Sequence, residues 1–162
     1  GSGSTGSGDN GSGSSGSGPG RTCRIGDLAV GVRASEGGGA AGSNYVLLTF
    51  RNTSSSSCYL RGYAGVSFVG MQNGTQLGHA ADRVRARELT SVKLSVGETE
   101  KELLQIANAG NYDATECAPT TSDGFRVYPP AETKAAYVPF RTQACQSADV
   151  HQLSVYPVGT SG

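Results

Sequence analysis

The most strongly β-prone stretch of the chain is Asn44-Tyr45-Val46-Leu47-Leu48-Thr49-Phe50. Aromatic and β-branched residues favour strands, and this run places apolar side chains at neighbouring positions instead of alternating them with polar ones. We therefore expect a strand here that is buried on both faces, or nearly so.

On both sides of this stretch, from residue 27 onward, apolar residues recur with period two and helical periodicity is scarce. Gly37-Gly38-Gly39, Asn73-Gly74 and Gly97-Glu98 supply turn signals, and Asn73-Gly74 is the strongest hairpin signal of the chain. A short helical turn or a long loop is expected between residues 107 and 119. We expect eight or nine short strands, with the clearest runs at residues 28–33, 44–50, 65–69, 89–96, 99–106, 125–128, 135–140 and 150–158.

Many short strands with regular turns predict an all-β, immunoglobulin-like antiparallel β-sandwich. The chain has no Trp, so an antibody-type domain is not expected. Residues 1–20 differ sharply from the rest, because nine of them are Gly and seven are Ser. We predict a flexible Gly/Ser linker over residues 1–20 and a β-sandwich domain over residues 21–162. An expression linker is the alternative for the first segment, although Thr5, Asp9 and Pro19 break the regularity of a designed repeat.

Composition excludes several classes of protein. No apolar run approaches the ~20 residues of a membrane helix. The net charge is zero, with 13 basic and 13 acidic residues, so nucleic acid is not an expected partner. The chain begins with Gly1-Ser2-Gly3 and shows no export signal. If the protein is exported, this is a mature or trimmed form, and a lipid anchor at the N-terminus is the only membrane attachment we expect.

Four cysteines lie at positions 23, 58, 117 and 145, and none forms a CxxC pair. An even number in a small, Lys-poor, Gly/Ser-rich chain favours two disulfides and an oxidising, extracellular compartment. Three pairings are possible. We favour Cys23–Cys58 with Cys117–Cys145, because each bond then joins neighbouring segments. Four buried thiols in a cytosolic protein are the alternative.

Several short blocks of the sequence carry a family resemblance. Phe50-Arg51-Asn52-Thr53-Ser54, followed by Cys58-Tyr59-Leu60-Arg61-Gly62-Tyr63-Ala64-Gly65-Val66, resembles the F-x-N-x-S…C-x-L-x-G-Y-P-G-V block of a secreted actinobacterial family, domain of unknown function 4232. Ala64 stands where that family usually has Pro. Residues 108–112, 117, 127–130, 138–140 and 145 resemble its later blocks. The resemblance implies an exported or lipid-anchored envelope protein with a β-sandwich fold, and it brings no catalytic residue.

The only histidines are His79 and His151. Either one could orient a Ser in a hydrolase, but no G-x-S-x-G motif is present and Ser is common throughout the chain. We expect both to be surface or structural histidines, and we expect the protein not to be an enzyme. A cryptic secreted hydrolase that uses His79 or His151 is the alternative.

Metal-ligating patterns are also weak, and we expect neither a metal nor another cofactor. No HxxxH or HxH pair supports a zinc site. Asp113, Glu116 and Asp123 lie near Cys117, but the D-x-D-x-D-G pattern of a calcium loop is missing.

A candidate binding patch combines arginines with tyrosines, which are favoured contact residues. In an extended segment, side chains at every second position share one face, as do those of Arg83, Arg85 and Arg87. The complete patch consists of Tyr59, Arg61, Tyr63, Arg83, Arg85, Arg87 and Tyr128. The alternative is structural. The arginines would then protect a sheet edge and pair across strands with Glu98, Glu100 and Glu102, and the tyrosines would cap the core.

These observations predict an exported, non-catalytic domain, tethered to the cell envelope, that binds a cell-wall polymer or an extracellular protein. The alternatives are the secreted hydrolase and a structural spacer in an extracellular assembly.

Overall fold

The computed structural model describes residues 20–35, 39, 41–85 and 87–160. The predicted linker therefore lies outside the described residues except for Gly20, and its boundary with the domain stays a prediction. The helical elements of the described residues are a 3-10 turn at Ile25–Asp27, a second 3-10 turn at Ala109–Asn111, and one short helix, α1 (Ala114–Cys117). Their strands are β1 (Leu28–Ala34), β2 (Ser43–Asn52), β3 (Cys58–Leu60), β4 (Gly65–Gly70), β5 (Thr75–Leu77), β6 (Asp82–Arg83), β7 (Val92–Leu94), β8 (Thr99–Ala107), β9 (Pro119–Thr121), β10 (Gly124–Tyr128), β11 (Ala136–Pro139), β12 (Gln143–Cys145) and β13 (Leu153–Val155).

The strands form two main sheets and two small ones. One main sheet has the order β1-β2-β8-β13-β6, and the other has the order β11-β10-β4-β5. The pairs β12-β9 and β3-β7 form the small sheets. All strand pairs are antiparallel except β13 with β6, which are parallel. This arrangement confirms the predicted antiparallel β-sandwich.

β2 lies inside the first sheet, between β1 and β8. Its consecutive residues Val46, Leu47 and Leu48 are all buried, as expected for a strand covered on both faces. The core lies between the two main sheets. Phe68 of β4 stands opposite Phe125 of β10 in the second sheet, and their ring centroids are 5.1 Å apart.

The predicted strands are present, but several bounds were wrong. The run 89–96 contributes only Val92–Leu94, and the run 150–158 contributes only Leu153–Val155. In the second case the chain first turns, since the Val150 amide donates to the Ser147 carbonyl. Five strands of two or three residues were missed: β3, β5, β6, β9 and β12. The region between residues 107 and 119 contains the helical turns that were expected there.

The hairpin predicted at Asn73-Gly74 joins β4 to β5, but its turn is longer than two residues. Gly70 and Thr75 are paired, and Met71, Gln72 and Gly74 all have positive φ. Asn73 instead uses its side-chain oxygen to accept from the amide and hydroxyl of Thr75. The left-handed positions therefore include two residues that are not Gly.

Two disulfides connect the periphery to the sandwich. Cys23–Cys58 ties the segment before β1 to β3, and Cys117–Cys145 ties α1 to β12. These are the two pairs that the sequence favoured. Among the described residues, no helix is long and apolar enough to cross a membrane.

Candidate functional site

The structure brings together two histidines that are 72 positions apart in the chain. His79 follows Gly78, whose left-handed φ of 74° turns the chain out of β5. The amides of Gly78 and His79 donate to the carbonyls of Gln146 and Val150, so the backbone of this segment is fixed against the loop before β13. His151 lies in this same loop, two residues before β13 begins.

Asp82 lies beside His151 because β6 pairs with β13, the only parallel strand pair in the part of the chain that the structure describes. It lies on β6 opposite Ser154 of β13, three residues beyond His151. Asp82 Oδ2 is 2.9 Å from His151 Nδ1, and its Oδ1 is 4.0 Å from His79 Nδ1. We call His79, Asp82 and His151 the histidine cluster.

The two imidazole rings of the histidine cluster are stacked, with centroids 3.8 Å apart and planes inclined by 16°. His79 Nδ1 is also 2.7 Å from the Ala80 carbonyl oxygen. A carbonyl can only accept, so in a neutral His79 ring this contact favours the tautomer with the proton on Nδ1 and the lone pair on Nε2. One ligand atom from each of the three side chains lies within 4.8 Å of the others, and each side chain is 48% exposed.

Sequence reasoning considered both histidines but did not place them together. The spacing of His79 and Asp82 carries a weak signal, whereas the third member depends on pairing between β13 and a strand of only two residues. The hydrolase hypothesis needs a Ser at one of the rings. Within the described residues, the ring hydrogen bonds go to Asp82 and to the Ala80 carbonyl, and none goes to a Ser hydroxyl.

The predicted Arg/Tyr patch is brought together only in part. The Arg83 guanidinium lies over the Tyr63 ring, 5.3 Å from its centroid, and the Tyr63 hydroxyl donates to the Val84 carbonyl. Arg87 donates to the Val158 carbonyl, and the Val158 amide in turn donates to Gly62, next to Tyr63. Arg83, Arg87 and Tyr63 therefore stabilise one end of the domain.

The other patch residues are more dispersed. Tyr59 lies on β3 opposite Lys93, and its ring lies against Gly20. Tyr128 lies at the end of β10 beside Gly65. Arg61 and Arg85 are exposed. The extended segment predicted for the arginines is short, because its ladder ends at Arg83 with β6.

The structural alternative paired three glutamates with these arginines, and no such ion pair forms among the described residues. β13 lies between β8, which carries Glu100 and Glu102, and β6. Glu98 instead accepts from the Ser95 amide in a turn, and Glu100 lies opposite Phe50 of β2. Glu102 is fully buried, and its Oε2 accepts from the Ala64 amide.

The surroundings of three carboxyl groups shift their pKa values. Burial raises the pKa of Glu102 to about 8, although the Ala64 amide and the charge of Arg83 act in the opposite direction. Hydrogen bonds from the Ile25 and Thr133 amides lower the pKa of Glu132. The pKa of Asp27 is lowered first by a hydrogen bond from the Arg24 amide.

The carboxylates considered for calcium do not gather around one point. Asp113 caps α1 by accepting from the Thr115 amide, and Glu116 is an exposed residue of the same helix. Asp123 lies elsewhere, next to the turn between β4 and β5, where it accepts from the Gln72 amide at 2.7 Å. The only cluster of three potential ligands within the described residues is the histidine cluster.

Asp123 forms part of a second surface feature, which we call the turn groove. This open groove of about 540 Å³ runs between the β4–β5 turn and the end of β11, and Gln72, Asp123, Tyr137 and Arg141 are among its lining residues. Tyr137 is 58% exposed, and its hydroxyl donates to the Asp123 carbonyl. A volume of this size falls within the range of ligand-binding clefts. Sequence reasoning did not identify the groove, because Tyr137 and Asp123 belong to different segments.

The fold, the two disulfides and these surface features define a small, disulfide-bonded all-β domain. The chain belongs to the family described as Domain of unknown function (DUF4232), whose model matches residues 23–159. The resemblance of the sequence blocks to that family is thereby confirmed. No curated protein and no solved structure matches the chain significantly.

Proposed function

We propose that this domain is an exported, non-catalytic interaction module that binds a segment of an extracellular protein in the turn groove. The observation that carries the proposal is the β4–β5 turn, which holds Met71 and Gln72 in left-handed conformations and places Gln72 in the groove together with the exposed Tyr137. Strained backbone of this kind persists only where its surroundings hold it, and it is concentrated at functional sites.

The surroundings of the turn groove are built to hold that shape. Asp123 accepts from the Gln72 amide, and Arg126 donates to the Gly74 carbonyl, so charged side chains fix both halves of the turn. The Tyr137 ring is anchored through its hydroxyl. A surface that is ordered before binding loses less conformational entropy when a ligand arrives, which increases affinity.

The exposed side chains favour a protein as the partner. Met71 is 45% exposed and Tyr137 is 58% exposed, and both residue types are enriched in protein interfaces. Arg141 and Asp123 place opposite charges at the groove, with Arg141 Nη1 4.0 Å from Asp123 Oδ1. A peptide segment with a polar backbone and an apolar side chain matches this mixture. We propose it in preference to a cell-wall polymer, because the chain contains no Trp to stack on sugar rings.

Site-specific photocrosslinking in the producing cell tests the groove. A photoreactive amino acid at position 137 or 72, both of which line the groove, is expected to give one discrete protein adduct. The matched control is position 96, where Val96 is 56% exposed on the turn between β7 and β8. Equal adducts at all three positions, no adduct at any of them, or an adduct identified as a glycan would contradict a protein-binding groove.

We also propose that the domain works in the cell envelope or outside the cell, as expected for a secreted actinobacterial protein or lipoprotein. Two disulfides support an oxidising compartment, since such bonds are rare in the cytosol. Blocking free thiols in intact cells before lysis, followed by mass mapping, should find Cys23–Cys58 and Cys117–Cys145 in the exported fraction. Recovery of four alkylated thiols from the cytosolic fraction alone would overturn the assignment.

A further inference from the structure

We propose that the histidine cluster of His79, Asp82 and His151 binds a divalent transition-metal ion of the zinc class. The cluster is separate from the turn groove, and the proposal does not depend on the proposed protein partner. Zn²⁺ prefers imidazole nitrogen and carboxylate oxygen ligands, and sites with three protein ligands leave a fourth position for water or for another molecule.

The distances within the histidine cluster are close to those of a bound state. Three ligands at about 2.0–2.2 Å from one Zn²⁺ ion in a tetrahedral site lie about 3.4 Å from one another. In the structure, one ligand atom from each residue already lies within 4.8 Å of the others. The three side chains are half exposed, so small rotations can bring the ligand atoms closer without disturbing the core.

The ring stack also indicates which movement is required. Each imidazole lone pair lies in the plane of its ring, and the two ring planes are inclined by only 16°. The lone pairs of the two stacked rings therefore do not converge on one point where an ion could bind. One ring must therefore turn about its side-chain bonds when the ion binds. His79 offers Nε2, because its Nδ1 donates to the Ala80 carbonyl.

Asp82 adds a carboxylate to the two imidazole ligands. Its Oδ2 is 2.9 Å from His151 Nδ1, so these two ligand atoms already face each other. On binding, the ion takes the place that the shared proton holds between Asp82 and His151. The displaced Nδ1 proton leaves to water, and Nε2 of the ligating imidazole carries a proton taken up from water.

The backbone that carries these ligands is held in place without the ion. The Gly78 amide donates to Gln146, and the Gln146 amide donates to Cys117, which belongs to the Cys117–Cys145 disulfide. On the other side, parallel pairing of β6 with β13 fixes Asp82 beside the strand that follows His151. These backbone hydrogen bonds and the nearby disulfide hold the three ligand residues at fixed positions. Surface side chains on flexible loops would not be held in this way.

Calorimetric titration of the disulfide-bonded chain of residues 1–162 with Zn²⁺ in a chelator-free buffer tests the proposal. We expect saturable binding of one ion per chain. His79→Ala, His151→Ala and Asp82→Asn should each weaken binding by about tenfold or more. The matched control is Asp149→Asn, which removes an exposed carboxylate two residues before His151 and should leave the affinity unchanged.

A second measurement is made on the unaltered chain. Bound Co²⁺ should show visible ligand-field bands typical of a four-coordinate nitrogen and oxygen site, and Zn²⁺ should displace it. Non-saturating binding, equal weakening by Asp149→Asn and Asp82→Asn, or full affinity in the His79→Ala/His151→Ala variant would overturn the proposal. So would a Co²⁺ spectrum identical to that of the free aqueous ion.

Discussion

Asn52 is the last residue of β2, and it is completely buried although its side chain is a polar amide. Its nitrogen donates to the carbonyls of Ser56 and Leu94, at 2.9 Å each. Its oxygen accepts from both the amide and the hydroxyl of Ser54. One residue therefore satisfies the polar groups of the loop that leads to the Cys23–Cys58 disulfide.

We predict that Asn52→Ala lowers the free energy of unfolding by about 2–4 kcal/mol, because it leaves several buried polar groups without partners. Urea denaturation of the oxidised protein measures the change. Asn108→Ala provides the control, since Asn108 is exposed and its replacement should change stability by no more than about 0.5 kcal/mol. Equal effects of the two substitutions would show that the Asn52 hydrogen bonds do not stabilise the loop.

At the scale of single elements, the β4–β5 turn carries the clearest conformational cost. Met71 has φ of 62° and Gln72 has φ of 59°, and left-handed backbone costs a residue with a Cβ roughly 1–2 kcal/mol. Gly adopts this conformation without that cost, although it loses more entropy on folding. The proposed protein-binding role of the turn groove explains why residues other than Gly occupy these positions.

Met71→Gly is expected to raise the free energy of unfolding by about 0.5–1 kcal/mol, because it removes the left-handed strain. Met71→Ala removes the same side chain but keeps a Cβ, so it should leave stability nearly unchanged. Thermal denaturation followed by circular dichroism compares the two variants. Equal melting temperatures for the Gly and Ala variants would contradict a strained turn.

The sequence predicts the long strands that have a clear pattern of apolar residues. The apolar run of β2 marks a central strand, because consecutive buried residues such as Leu47 and Leu48 are rare outside a covered sheet. It does not predict strands such as β6, whose two residues Asp82 and Arg83 have no pattern of their own and pair only because β13 lies beside them. Such strands depend on tertiary contacts with residues that are distant in the sequence, so the local sequence does not predict them.

The same reason explains which parts of the candidate sites were missed. From the sequence, His79 and His151 are expected to be surface or structural histidines, because their meeting depends on the β6–β13 pair and on the loop that follows Cys145. The Arg/Tyr patch rested on neighbouring sequence positions, and the fold brings only part of it together. Patterns within one strand are thus predictable, whereas clusters that span several segments require the three-dimensional arrangement.

If the Cys117–Cys145 bond holds the frame of the histidine cluster, its removal should weaken zinc binding. We expect Cys117→Ser/Cys145→Ser to lower zinc affinity by about tenfold and the unfolding free energy by about 2–4 kcal/mol. Cys23→Ser/Cys58→Ser is the matched control, since it removes a bond that closes a loop of similar length, 35 residues against 28. Calorimetry should find the zinc affinity of that control unchanged. Equal loss of affinity in both variants would mean that general destabilisation, not the local frame, is responsible.

For the molecule as a whole, buried carboxyl groups give two opposite pH dependences. The pKa of Glu102 is raised to about 8, so between about pH 4.5 and 8 the folded state holds a proton that the unfolded chain has released. Stability then falls as the pH rises through this range. Among the described residues, Glu102 Oε1 has no hydrogen-bond partner, so ionisation in the folded core is poorly compensated.

Glu132 has the opposite effect at the other end of the pH scale. Its carboxylate accepts from the Ile25 amide and lies 3.3 Å from Arg24, and its pKa is lowered. The unfolded chain therefore takes up a proton first as the pH falls. The stability that this group contributes is complete above the unfolded value of about 4.5 and is lost as the pH falls through the lower folded value.

Together these two groups predict that the folded protein is most stable at about pH 5. Because a single proton is involved, Glu102 should lower the unfolding free energy by up to about 1.4 kcal/mol per pH unit between pH 5 and 8. Glu102→Gln should remove most of that slope, whereas Glu100→Gln, on the same strand, should keep it. Glu132→Gln should instead reduce the loss of stability below about pH 4.5. Urea denaturation of the oxidised protein across this pH range measures all four profiles. A flat wild-type profile above pH 5, or an unchanged slope in Glu102→Gln, would show that the buried carboxyl does not control the alkaline side of the stability curve.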